Sequence, residues 1–331
     1  MMRLSYIQSG LWLLMLAAVQ LALFPIFVEI MFQEKFIFGT IEWGGLLPQT
    51  PGNWQLIFWV QAVASVAGIP ILAKFYYPQM GEDLKKIFTG ENTKVLKTAI
   101  LSGFSLFVAW EAIAIGCWQI PPGVVVGFFL IYPILTTLGA WKFWGYRPHQ
   151  TRITAMTIVT IGSLFALKVP AIFAATPIQG VLGILAAIVG GIAFASYLLL
   201  TYRGTRSLHP LPFSAIALGT LLGLASLSLI LPLPGTMISM SLSELPRLMV
   251  GGLILGSLTL VGYSFIAYGI LLAGVTRGAI AIASVPALFA LFGSILIQDF
   301  LDIKQVFALV VVILGLLVLI TEPMVRQDWY D

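Results

Sequence analysis

The stretch AWEAIAIGCWQIPPGVVVGFFLIYPILTTLGAWKFWGYR, Ala109–Arg147, decides how the chain is organised, because it has a second copy. In it an apolar segment carrying Glu111 meets a tight turn at Pro121-Pro122-Gly123. A second apolar segment follows with Pro133 inside it and stops at a polar cluster, Gly145-Tyr146-Arg147-Pro148. The pattern returns at Gly262–Phe300 as GYSFIAYGILLAGVTRGAIAIASVPALFALFGSILIQDF. A shift of 153 lays Trp110 on Tyr263, Glu111 on Ser264, Pro133 on Pro286, and Gly145-Tyr146 on Gln298-Asp299. A repeat at about half the chain length predicts a two-fold architecture and not a solenoid.

Working outward, composition sets the solvent. The 331 residues are 60% hydrophobic and 9% charged, with a mean hydropathy of +1.02. A soluble domain carries about 25% charged residues, so this chain is not one. Its apolar runs are long enough to cross a hydrocarbon layer of about 30 Å, and without strict alternation they read as helices. The reading is an all-α integral membrane protein. A net charge of +4 does not indicate nucleic acid here, because most of the basic residues flank apolar segments and face the lipid bilayer's surfaces.

In chain order, the run from Leu11 to about Ile30 is too long for a secretory leader and lacks a small-residue cleavage site, so it reads as a retained helix ending near Glu29. Residues 34–53 read as a long outer loop that folds over one mouth of the bundle. A second helix spans about 54–75. The charged stretch 76–97 reads as a solvated cytoplasmic loop with a short amphipathic helix. Eight more helices are expected at about 98–118, 123–144, 153–172, 178–202, 212–232, 248–272, 277–297 and 304–322, separated mostly by prolines. The expected total is ten transmembrane helices, five per half, with halves at 1–172 and 173–331.

Charge fixes the expected orientation. With the N-terminus inside, thirteen Lys and Arg residues fall on the cytoplasmic side and four (Lys35, Lys168, Arg247, Lys304) on the outer side. Both termini are then cytoplasmic and the protein is multi-pass in the cytoplasmic (inner) membrane. Five helices per half is an odd number, so the second repeat inserts upside down relative to the first, as two inverted five-helix repeats.

At Ile131-Tyr132-Pro133-Ile134 and Val285-Pro286-Ala287-Leu288 the sequence resembles the EamA-type family of the drug/metabolite transporter superfamily. The last helix, Gln305–Leu319 with Gly315, resembles that family's too. The resemblance covers about two thirds of the chain and is better in the second half. It implies ten helices in two inverted repeats that move small metabolites across the cytoplasmic membrane, often outward. Tyr146 and Asp299 stand where the family usually has glutamate, and the loops 34–53 and 76–97 are longer than its norm.

Glu111 is the sharpest functional candidate. A carboxylate well inside a membrane helix costs several kcal/mol unless paired, hydrated or protonated, so it should face a cavity or another helix. It reads as a substrate-amine contact or a proton-coupling site, with helix packing as the alternative. Ser264 takes its position in the second copy. Trp110, Tyr132, Tyr197, Tyr263 and Tyr268 are expected to line a central cavity, where rings with one polar tip suit an amphipathic solute or a cation; an interfacial belt is the alternative. Gln61 is a mid-helix amide, either substrate-binding or helix glue. Pro133 and Pro286 are read inside their helices, as hinges or as static kinks.

The pairs Gly123/Gly127, Gly219/Gly223 and Gly252/Gly256 predict close helix packing and leave a homodimer open. His149 and His209 read as interfacial residues with no metal site. No phosphate loop, nucleophile elbow or zinc-protease motif is present, and no cofactor is expected. The reading is therefore not an enzyme but a secondary transporter, a permease or exporter for a small metabolite, amino-acid-like or amphipathic. It would rock one five-helix half against the other around a midplane site containing Glu111. The alternatives are a membrane-embedded enzyme or lipid-handling protein, and a sensor or assembly factor leaning on the loop 76–97. A polar cavity around Glu111 would favour transport; a packed, dry centre would count against it.

Overall fold

The computed structural model describes residues 2–48, 50–90, 92–168, 177–230 and 245–322. The first helix, α1 (Met2–Phe32), leads into a short antiparallel hairpin, β1 (Glu34–Ile37) and β2 (Ile41–Gly44), paired from Glu34↔Gly44 to Ile37↔Ile41. Then come α2 (Pro51–Tyr76), α3 (Met80–Phe88), α4 (Thr93–Gln119), α5 (Pro122–Phe129), α6 (Tyr132–Trp144) and α7 (Gln150–Ala166). They are followed by α8 (Pro177–Thr205), α9 (Pro210–Ile230), α10 (Leu245–Ala273), α11 (Val275–Ile282), α12 (Val285–Leu296) and α13 (Ile303–Ile320). The fold is all-α apart from the hairpin.

Among the described residues nine helical spans are long and apolar enough to cross a membrane, taking α5 with α6 and α11 with α12 as one span each. The tenth expected helix is α7, whose 17 described residues measure roughly 26 Å. Its expected end at 169–172, the boundary between the halves at 172/173, the break at Pro232–Pro234 and Arg326 lie outside the described residues.

Local chemistry explains the ends. Thr50 caps α2, its hydroxyl accepting from the Asn53 amide at 3.3 Å, with Pro51 in the first turn. Asp302 and Gln305 form a reciprocal capping box on α13, at 2.7 and 3.2 Å. Gly145 closes α6 at φ +69°, which costs glycine no steric penalty. The amphipathic helix expected in the charged loop is α3, which buries Met80 and Ile87 and leaves Glu82 and Lys85 outward.

Three expectations change. Residues 34–44 are a hairpin and not plain loop; its tip docks on the end of α12, with the Phe38 amide donating to the Leu296 carbonyl at 2.9 Å. The expected helices 123–144 and 277–297 are each two helices, broken at Leu130–Ile131 and Ala283–Ser284. Pro133 and Pro286 therefore stand in the first turns of α6 and α12, where the missing N–H leaves no acceptor without a donor.

The packing also crosses the midpoint of the chain. α1 lies mainly on α10, and α4 mainly on α8, so the two sequence halves interlock instead of standing side by side.

Element bounds recur at the spacing seen in the sequence. Adding 153 to the bounds of α5 gives those of α11, and adding it to the first residues of α6 and α7 gives those of α12 and α13. Where α7 crosses α13, a Cβ at Gly162 would meet Val312 at 2.8 Å, and one at Gly315 would meet Val159 at 2.7 Å. Gly162/Gly315 and Val159/Val312 are themselves 153 apart, so this contact is reciprocal, as at a two-fold axis. On its other face α13 exposes Val306, Val310, Ile313 and Leu317, a row that suits lipid and would be an aggregation patch in water.

Of the expected small-residue pairs, Gly252 and Gly256 let α10 close on α2, at Val60 and Ala64, whereas Gly219 and Gly223 face open space. Gly256→Leu should therefore lower the thermal midpoint in detergent, at a cost of about 1–3 kcal/mol from overpacking. Gly219→Leu should leave it unchanged, and equal effects at the two sites would contradict the packing described.

Candidate functional site

The middle of the bundle is a chain of rings. Trp110 on α4 and Tyr263 on α10 meet where their helices approach, and the indole Nε1 donates to the Tyr263 hydroxyl at 2.7 Å. On one side Phe24 of α1 packs edge-on against Trp110 at 4.5 Å; on the other, Tyr197 of α8 packs edge-on against Tyr263 at 5.6 Å. Phe194 stacks on Tyr197 and carries the chain to Tyr132 at 4.9 Å. Edge-to-face geometry of this kind adds roughly 0.5–1.5 kcal/mol per pair beyond burial. Trp110 and Tyr263 are the two copies of one repeat position, so their contact too lies where a two-fold axis would pass.

Three polar side chains have atoms without a partner among the described residues. Glu111 is half-buried, five residues past the middle of α4 or roughly 7.5 Å along its axis, and makes no hydrogen bond or ion pair among the described residues. Ser264, its repeat counterpart, is buried, and its hydroxyl is without a hydrogen-bond partner. Gln61 is buried on α2, where the backbone passes close to Gly256; its Oε1 is likewise unpartnered.

The candidates do not all converge. Trp110, Tyr263, Tyr197 and, through Phe194, Tyr132 join in one aromatic chain. Tyr268 belongs elsewhere: its hydroxyl pairs with His209 Nε2 at 3.3 Å. The space beside Tyr197 and Tyr263, closed by Leu106, Phe213 and Leu218, has a volume of about 0 Å³. At these rings the expected cavity is filled, the packed arrangement expected to count against transport.

Sequence reasoning missed two clusters. Arg152, at the start of α7, and Arg277, at the start of α11, both bind Glu322 just beyond α13, at 2.6 and 2.9 Å. All three are buried. Their separations along the chain hid the group; the available signal was Arg277, a charge between two apolar segments. The second cluster ties α2, α3, α9 and α10. Tyr77 lies flat on His209 at 3.7 Å and donates to Asp83 at 2.6 Å, while Tyr268 meets the far edge of the imidazole.

Comparison with known proteins follows this geometry. Residues 181–321 match the EamA-like transporter family. That stretch is similar to EamA-type transporters. An uncharacterized transporter of Synechocystis sp. is 28% identical over 305 residues, spanning 92% of this chain and 90% of the relative. A solved crystal structure shares the fold with a TM-score of 0.64, at 17% identity and over 95% of both chains. Family and relative together support a multi-pass membrane transporter and point away from an enzyme.

The His209 cluster gives a pH dependence. Burial holds the imidazole below its ordinary value of 6.5, with Asp83 pulling weakly the other way. The Tyr77 hydroxyl is pushed up to about 12, first by its hydrogen bond to Asp83 and then by burial. Because the folded protein resists charging His209, the unfolded chain takes up the proton first as pH falls. This stability is full above the ordinary value and drains away below it. His209→Phe should keep the stack on Tyr77 and flatten the fall of the thermal midpoint below pH 6.5; an unchanged acid slope would contradict this.

Proposed function

We propose that this protein is a secondary transporter, a permease or exporter that moves a small, amino-acid-like metabolite across the cytoplasmic membrane by alternating access. Glu111 carries the proposal. A carboxylate with no partner among the described residues, within an apolar membrane helix, is costly unless it meets water, a proton or a cationic solute. A group that exchanges those partners as the protein opens and closes has a reason to be kept there. Ser264 and Gln61 add unpartnered polar atoms, and Trp110, Tyr263, Tyr197 and Tyr132 supply rings for an amphipathic amine.

The moving bodies we propose follow the packing and not the sequence halves. The repeats 1–172 and 173–331 interlock, so the natural units are the pair α1–α10 and the pair α4–α8, which the repeat exchanges. They meet at the Trp110–Tyr263 hydrogen bond, a net contribution of only about 1 kcal/mol, small enough to break on opening. The filled space at Tyr197 and Tyr263 is then the occluded state, and transport requires it to open. The two-residue breaks before Pro133 and Pro286 are the proposed hinges. Both termini are proposed to face the cytoplasm, on the charge bias of the loops.

The test is flux. Membrane vesicles holding wild type or Glu111→Gln are loaded with a panel of amino acids, with and without a proton gradient. Wild type should move at least one of them, and the variant should lose the gradient dependence. Unchanged coupled flux in the variant would remove Glu111 from the mechanism, and no flux of any member would contradict the substrate class.

A further inference from the structure

At the end of the bundle away from the hairpin, one arginine has a donor left over. Arg277 is 5% exposed; its Nε donates to Glu322 Oε2 at 2.9 Å and its Nη1 to the Ala273 carbonyl at 3.1 Å. Its Nη2 is buried without a partner. Both Glu322 oxygens are already engaged, because Arg152 takes Oε1 at 2.6 Å and shares Oε2 at 3.2 Å. Two guanidinium groups against one carboxylate leave these three side chains with a charge of +1.

The same place receives a helix end. Arg277 lies in the first turn of α11, whose N-cap Gly274 supplies no side-chain acceptor. The first amides of a helix have no acceptor within it and carry partial positive charge. Gly274, Val275, Thr276, Arg277, Arg152 and Tyr202 line a cavity of about 30 Å³. Arg277 and an uncapped helix N-terminus thus border one small space, and together they favour an anion there.

We infer that this cavity binds a compact oxyanion, a carboxylate group. The space has room for formate, acetate or the acid end of a larger molecule. A planar group with two oxygens suits the guanidinium fork with one oxygen and the α11 amides with the other. The site is not a by-product of the repeat: the position equivalent to Arg152 is Gln305, which donates to the Ala166 carbonyl at 3.2 Å, and that equivalent to Arg277 is Val124. The two equivalent positions therefore form no such group. Nothing in this inference depends on transport, and its test reads binding and not flux.

Purified protein in detergent is heated at constant ionic strength while chloride is replaced by formate or acetate. Formate and acetate should raise the unfolding midpoint with saturation. In Arg277→Lys, which keeps a cation against Glu322 but loses the fork, the saturable rise should fall several-fold. A rise that the variant retains in full, or one that follows concentration without saturating, would overturn the inference. If the variant does not fold, wild type decides alone: no change when formate replaces chloride overturns the site, and a saturating rise supports it. Competition of formate by glycine but not glycinamide would make a solute's own carboxylate the occupant; saturation without such competition would make it a free anion.

Discussion

The rest of the bundle is arranged about a single contact, the hydrogen bond from Trp110 to Tyr263. It joins α4 and α10, and each of those helices carries its own principal neighbour, α8 and α1. Around it Phe24 and Tyr197 take matching places on the two sides. Helices in lipid gain little from the hydrophobic effect between one another, so close packing and a few polar contacts must hold them. Here the packing is supplied by glycines, at Gly162 and Gly315 between α7 and α13 and at Gly252 and Gly256 between α10 and α2. The polar contact at the centre is one weak bond.

That combination separates what is rigid from what can move. The α7–α13 crossing is a close approach of small residues between valines. The buried group of Arg152, Glu322 and Arg277 pins the same two helices to the start of α11 at one end. Breaking a buried pair of this kind by removing one partner leaves an uncompensated charge, which makes it a poor place for movement. The centre is different: aromatic edges can slide and one hydrogen bond can open.

Much of the fold was legible because lipid imposes simple rules. Long apolar runs must be helices, prolines and glycines punctuate them, and the spacing of 153 shows in residues as different as Trp110 and Tyr263. Other features were hidden for physical reasons. A proline inside a helix and a proline in the first turn after a break look alike in sequence, so Pro133 and Pro286 did not reveal the splits before α6 and α12. The hairpin at 34–44 has strands of four residues, too short for alternation to stand out. The interlocking of the halves depends on which faces meet, and an apolar helix with no polar stripe does not announce its face. The Arg152–Glu322–Arg277 group joins residues 170 and 45 positions apart, beyond any local pattern.

The most direct measurement is accessibility of the centre. In a Cys117→Ala background, Ser264→Cys is placed in sealed vesicles of known orientation, and a membrane-impermeant thiol reagent is applied to each face separately. The account predicts reaction from both faces, because the buried position must open to each in turn. Reaction from neither face, in a protein that is folded and inserted, would mean that the packed centre stays closed, and would contradict alternating access.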